Sequence, residues 1–367
     1  MSELPSYFDN YLREIRPTQN QRDECKTGHE TLRERLHSDK LLQDIVTDTF
    51  LQGSYRRATA VRPKGQERSD VDVIVVTNID KEKYTPRQAM DLFIPFLDKY
   101  YEGKWEAKGR AFGISLSYVE LDLVITAAPS EVQKAGWRQL ACLTEADIIG
   151  ETKWEPADTW FLGSLSNSSI VERASTWKLE PLDIPDRDAN KWDKTHPLAQ
   201  IAATWAKSRR TNRNFVNVVK AIKWWKVAQQ SDMKYPKGYP LEHLLWGSCP
   251  DGITSIAEGV VLALEDIVCR YQGYVDTNTV PVVPDHGVPE HNVLGRLSGK
   301  DFQEFYKRIC DAAQQARDAF DEVDKCNSAE KWRLLFGSRF PQCPENSKQG
   351  GYTPRNETSI VPGGRFA

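Results

Sequence analysis

Apolar residues recur at helical spacing through residues 6–45, in two runs broken at Pro17. The first is Tyr-Phe-Asp-Asn-Tyr-Leu-Arg-Glu-Ile; the second runs from Gln19 to Leu42, with Leu32, Leu36 and Leu41/Leu42 on one side. Together they predict a long helical spine leading into a short strand at 46–52. The period then changes to two. Ser-Asp-Val-Asp-Val-Ile-Val-Val, 69–76, reads as a strand that starts polar and continues too apolar to be exposed. A loop to Arg87 and a helix carrying Met90, Leu92, Phe93, Phe96 and Leu97 on one side come next. A second strand is expected over 113–127, with Val119, Leu121 and Leu123 facing the core and Glu120 and Asp122 on the other face. Residues 130–195 hold turn residues and scattered tryptophans and predict irregular structure, with the linker at 185–192 as the boundary between lobes. Helical patterning then returns at 198–207, 214–230, 240–246, 255–271 and 299–319.

Chemistry concentrates where the first strand pair forms. Gln52-Gly53-Ser54 offers a turn with no side chain at Gly53, so backbone amides can approach a phosphate closely. A helix beginning there would add positive field at the same point. Asp70 and Asp72 stand at i and i+2 of a strand and therefore share a face. Paired carboxylates of this kind hold hard divalent cations such as Mg²⁺ together with substrate phosphates. Asp122 lies within Leu-Asp-Leu-Val-Ile, where an unpartnered acid is costly. A metal shared with Asp70 and Asp72 would partner it; an arginine is the alternative, and Glu120 is a substitute ligand.

In the helical half, Lys220, Lys223 and Lys226 crowd one side of a single helix, opposite Val218, Val219, Ile222 and Trp225. That row suits either water or phosphates. Tyr239 precedes a helix and is placed to stack on a base. The turn-rich segment 284–293 presents Asp285 and Asn292, expected to be exposed enough to read polar groups. The six histidines form no metal-ligand spacing. The basic cluster Lys207, Arg209, Arg210, Arg213 reads as a solvated face or a docking patch.

Composition narrows the class. At 367 residues, 40% hydrophobic and 28% charged, the chain predicts a soluble globular protein of one large or two ordinary domains. A formal net charge of −3 argues against a grip on long nucleic acid. No apolar window has membrane-spanning length, and the N-terminus lacks a secretory pattern, so a cytoplasmic location with no membrane partner is expected. The seven cysteines are scattered and odd in number, and read as reduced thiols. Three units are expected: 1–190, a core with its spine helix; 191–343, a helical lobe closing the cleft; and 344–367, a tail too polar to fold alone.

Gln52-Gly53-Ser54, Asp70-x-Asp72, Asp122, the Lys-Trp-Trp helix and the Tyr-Pro-Leu-Glu segment resemble the bacterial cGAS/DncV-like nucleotidyltransferases, most nearly the CdnD clade. The resemblance implies an α/β (α+β) fold: a DNA polymerase β-like core with a mixed sheet, plus a helical C-terminal lobe. It implies a cyclic oligonucleotide synthase in anti-phage (CBASS) signalling, whose product activates a downstream effector. A cyclic trinucleotide built largely from ATP, such as cyclic tri-AMP, is the expected product, with other NTPs as co-substrates. By the same resemblance Asp70, Asp72 and Asp122 would be catalytic and bind two Mg²⁺ (or Mn²⁺), and Gln52, Gly53, Ser54 and Lys223 would hold the donor triphosphate. Tyr239 would stack on a base, with Asp285 as a further nucleotide contact. Gly238 departs from the family, where a serine often stands, so a side-chain phosphate contact is not expected there. A regulatory protein, or one that conjugates the C-terminus, is an expected partner. The rival readings are a linear oligoadenylate synthetase, a small-molecule nucleotidyltransferase, and a non-catalytic nucleotide-binding scaffold.

Overall fold

The computed structural model describes residues 2–130, 181–230 and 232–344. The two N-terminal helical runs are separate helices, α1 (Pro5–Ile15) and α2 (Gln19–Ser38), parted at Pro17 as the pattern predicts. A capping box at Thr18, with the Gln21 side chain reaching back, starts α2. The strands are β1 (Val46–Gln52), β2 (Ser69–Thr77), β3 (Trp105–Ala107), β4 (Phe112–Ser115) and β5 (Val119–Ile125). They form one mixed sheet in the order β1-β2-β5-β4-β3, in which only β2 and β5 run parallel. A single turn, α3 (Gly53–Arg56), follows β1 directly.

Three local expectations change. The helix after Thr85 is two short ones, α4 (Pro86–Asp91) and α5 (Ile94–Tyr101), because Pro95 can stand only in a first turn. The strand expected over 113–127 is a hairpin, since Ser115 to Val119 turns the chain back on itself. Residues 182–195 are an antiparallel ribbon and not irregular chain: β6 (Leu182–Asp186) pairs with β7 (Lys191–Thr195). The tryptophan-rich stretch before them, 131–180, and the tail from 345 lie outside the described residues.

Beyond β7 come α6 (Pro197–Arg210), α7 (Phe215–Gln229), α8 (Gly238–Ser248), α9 (Ile256–Asp276), α10 (Gly299–Asp321) and α11 (Lys325–Phe336). The last is absent from the sequence reading. It is capped by Asp324 and held by buried Trp332 and Phe336. The helical core also takes in α1, whose Phe8, Tyr11, Leu12 and Ile15 pack with Trp332, Phe336 and Phe340. The chain therefore begins in the helical layer, and the spine behind the sheet is α2 alone, with Leu32 and Leu36 in the sheet's core. Cys326 and Cys343 are bonded, their Cα atoms 5.2 Å apart and within disulfide range, so these two depart from the expectation of free thiols.

Of the lysine row on α7, Lys220 is fully buried, so the three do not form one solvated face. In the basic cluster at the end of α6, Lys207 is buried and reaches Asp251 at 2.9 Å, and Arg210 reaches the same carboxylate at 2.8 Å. Two members of that cluster thus share one acidic partner.

Candidate active site

The acidic group arises from strand alternation and register. Along β2, Val71, Val73 and Val75 are buried in the sheet's core, leaving Asp70 and Asp72 on the opposite face. Parallel pairing sets Asp72 directly beside Asp122 of β5, and Asp70 beside Glu120. On its other flank Asp72 is opposite Gln52 of β1. One carboxylate oxygen from each of Asp70, Asp72 and Asp122 falls within 4.8 Å of the others. Crowded acids resist ionising. Desolvation first, then the neighbouring carboxylates, push Asp70 and Asp72 above the usual carboxylate range. The charge left over is what a divalent cation would neutralise, so the residues fit a metal site. Glu120 belongs elsewhere: its carboxylate takes Ser115 Oγ at 2.6 Å and pairs with Arg68. The alternative partner for Asp122 is realised as a lysine: Lys108 Nζ donates to Asp122 Oδ1 at 2.6 Å.

The turn after β1 is shaped around the same acids. Gly53 has φ +72°, and a Cβ built on it would lie 1.7 Å from Asp72 Oδ2. Only glycine leaves room for that carboxylate. Gln52 and Ser54 flank it, half-buried. Being a single turn, α3 is too short to carry a macrodipole of its own.

Arg57, one helical turn past Gly53, points into the protein and binds Glu242 Oε2 of α8 at 3.1 Å. Lys223 Nζ of α7 donates to the other oxygen, Oε1, at 2.9 Å. Glu242 is buried yet stays ionised: burial opposes its charge, while Arg57 and Lys223 hold its carboxyl below the usual range. One carboxylate thereby ties the Gly-Ser turn to two helices of the opposite lobe.

Tyr239 opens the same helix as Glu242. Its hydroxyl donates to Asp285 Oδ2 at 2.7 Å, and Arg57 lies over its ring at 5.1 Å. Asp285 is 7% exposed, so the expectation that it is exposed for polar recognition fails. Its oxygens are taken by Tyr239, Gln200 Nε2 and the amides of Gly287 and Val288. Burial of Asp285 is secured by the loop that folds over it, and its effect is to aim the tyrosine. Asn292 likewise accepts from loop amides of Val283 and Leu294. Beneath Tyr239, His243 Nε2 faces the Pro284 carbonyl at 2.7 Å, so that nitrogen carries the proton. His243 Nδ1 is then the acceptor for His286 Nε2–H at 3.1 Å.

The predicted residues therefore gather in two sets. Asp70, Asp72, Asp122, Gln52, Gly53 and Ser54 share the sheet side; Lys223 and Tyr239 approach from the helices through Glu242 and Arg57. Sequence reasoning missed Arg57, Glu242 and Lys108. Glu242 had a signal, since it sits three residues after Tyr239 on the same helical side.

Residues 1–127 match the Second Messenger Oligonucleotide or Dinucleotide Synthetase domain. Over the full length of both chains, this one is 47% identical to the "cyclic AMP-AMP-GMP synthase" of Enterobacter hormaechei subsp. hoffmannii (strain UCI 50). The chain belongs to the CD-NTases, the cGAS/DncV-like nucleotidyltransferases. A CD-NTase is a cyclic oligonucleotide synthase. A more distant relative is the "cyclic AMP-AMP-AMP synthase" of Acinetobacter sp. (strain ATCC 27244 / 9458), 27% identical over 91% of this chain and 84% of that one. Among solved structures, the Bradyrhizobium diazoefficiens CD-NTase CdnG in complex with GTP matches with a TM-score of 0.65 and 12% identity. That likeness covers 91% of this chain and 96% of CdnG, and confirms the nucleotidyltransferase fold for this CD-NTase.

Proposed function

We propose that this synthase condenses two ATP and one GTP into cyclic AMP-AMP-GMP. The end-to-end 47% identity to an enzyme of that name carries the reading. It shifts the expectation away from cyclic tri-AMP, which the 27% relative favours. In each of three steps a ribose hydroxyl attacks an α-phosphorus, the α–β bond breaks, pyrophosphate leaves and the hydroxyl proton is released.

Asp70, Asp72 and Asp122 are the residues to hold Mg²⁺, with Mn²⁺ as a substitute. Two such ions bound there would lower the pKa of the attacking hydroxyl and stabilise the leaving pyrophosphate. Gln52, the Gly53 amide and Ser54 cradle the donor triphosphate from the sheet side. Lys223 meets the same phosphates from α7, oriented by Glu242. Tyr239, locked by Asp285, is the platform for a base. The product serves anti-phage signalling in the cytoplasm through an effector that recognises it.

The test is incubation with labelled ATP, GTP, CTP and UTP plus Mg²⁺, phosphatase treatment and mass spectrometry. A phosphatase-resistant trimer of two adenylates and one guanylate, absent with Asp70→Asn/Asp72→Asn, is expected. Cyclic tri-AMP would move the reading to the distant relative. A linear product would overturn cyclisation.

A further inference from the structure

Lys108 has no part in the reading above, yet it occupies the acidic site. It ends the β3 side of a tight turn, its amide donating to the Ala111 carbonyl at 2.8 Å. Its arm then runs back along the sheet to Asp122. The path exists because Gly113 stands opposite Asp122 in the β4–β5 register. A Cβ on Gly113 would lie 2.6 Å from Lys108 Cε and 2.9 Å from Nζ. The strand thus leaves a trough in which the lysine lies.

The base of the arm is fixed. Arg110 in the same turn binds Asp186 at 2.9 Å and Asp193 at 2.6 Å, and Gly109 O accepts the Arg187 amide at 2.7 Å, all on the β6–β7 ribbon. The arm itself is 44% exposed and Asp122 24%. No described residue buries the ammonium in its place. An exposed ion pair of this kind is worth about 1 kcal/mol or less and exchanges partners readily.

We propose that Lys108 is a displaceable counter-ion that competes with divalent metal for Asp122, coupling metal loading to nucleotide arrival. Without nucleotide, the ammonium occupies Asp122 and weakens the site for a cation. A triphosphate offers Lys108 a more highly charged partner, and its departure frees Asp122 as a ligand. Metal and nucleotide then enter with positive cooperativity, and the acids are seldom left unneutralised. The inference rests on the three aspartates being the metal ligands.

Mn²⁺ affinity of the full-length protein, read by electron paramagnetic resonance with and without a non-hydrolysable ATP analogue, tests it. Wild type should bind Mn²⁺ weakly alone and more tightly with the analogue. Lys108→Met should tighten binding to the nucleotide-free protein by up to about fivefold and shrink the gain from the analogue. Lys108→Arg should behave as wild type. Gly113→Ala, which closes the trough while keeping the lysine, should resemble Lys108→Met. Asp122→Asn reports on the underlying reading: if it binds Mn²⁺ as wild type does, the ligand assignment fails. If Asp122→Asn weakens binding but Lys108→Met leaves it unchanged or weaker, the counter-ion role alone is overturned.

Discussion

Gly53→Ala places a methyl group where Asp72 already is. Oδ2, Cγ and Cβ of Asp72 stand 1.7, 2.6 and 3.3 Å from the new atom, so rotating the carboxylate does not clear it. Oδ2 must withdraw by about 1.7 Å to regain ordinary contact at 3.4 Å. The backbone adds its own cost: at φ +72° a side chain is disfavoured by about 1–2 kcal/mol. In a protein of this size that lowers Tm by about 1–3 °C, leaving the fold intact. Activity responds differently, because misplacing a reacting group by about 1 Å costs about a hundredfold. Pyrophosphate release from ATP plus GTP should therefore fall by at least about a hundredfold, with circular dichroism unchanged. Ser54→Ala, which adds no atom, should lose less. A Gly53→Ala enzyme retaining more than about a tenth of wild-type rate would show that Asp72 does not depend on this turn.

Three further outcomes follow from the helical side. Glu242→Gln removes the charge shared by Arg57 and Lys223; denaturant unfolding should show a loss of about 3–5 kcal/mol, with KM for ATP raised, and an unchanged midpoint would discount the buried bridge. Tyr239→Phe keeps the ring but loses the bond to Asp285; KM should rise about fivefold with kcat nearly kept, whereas Tyr239→Ala should lose far more, and equal defects would count against stacking. Burial, reinforced by Arg57, lowers His243 to about 4 against Asp285 and Glu242; burial, then His243 and Arg57, lowers His286 to about 3 against Asp285. Both histidines are neutral when folded, so stability is complete above the unfolded pKa of about 6.5 and declines as pH falls towards about 4. In urea melts, His286→Phe should decline less steeply over that window; parallel profiles would refute the assignment.

The sheet was largely legible because its chemistry obeys a period of two. Val71, Val73 and Val75 had to face one way, so Asp70 and Asp72 faced the other. Bringing Asp122 beside Asp72 needs parallel register between strands far apart in sequence, which no local pattern encodes. Pairings across elements were invisible for the same reason. Glu242 looks like an ordinary helix charge until Arg57 and Lys223 converge on it, and Asp285 looks exposed until its loop folds over it. Lys108 carried no signal, since its trough is made by a glycine on the next strand. The resemblance to CD-NTases supplied the function that these residues alone left open.

Because α1 is packed among the C-terminal helices while α2 lies on the sheet, the described chain crosses between the two halves at Arg16–Thr18 and again at Thr195–His196. Two tethers restrain a joint differently from one. A single strap permits twisting and translation, whereas a pair anchored at separate points favours swinging about the line that joins them. In this enzyme the buried bridge of Arg57, Glu242 and Lys223 adds a third attachment that opposes the swing and holds Lys223 and Tyr239 facing the aspartates.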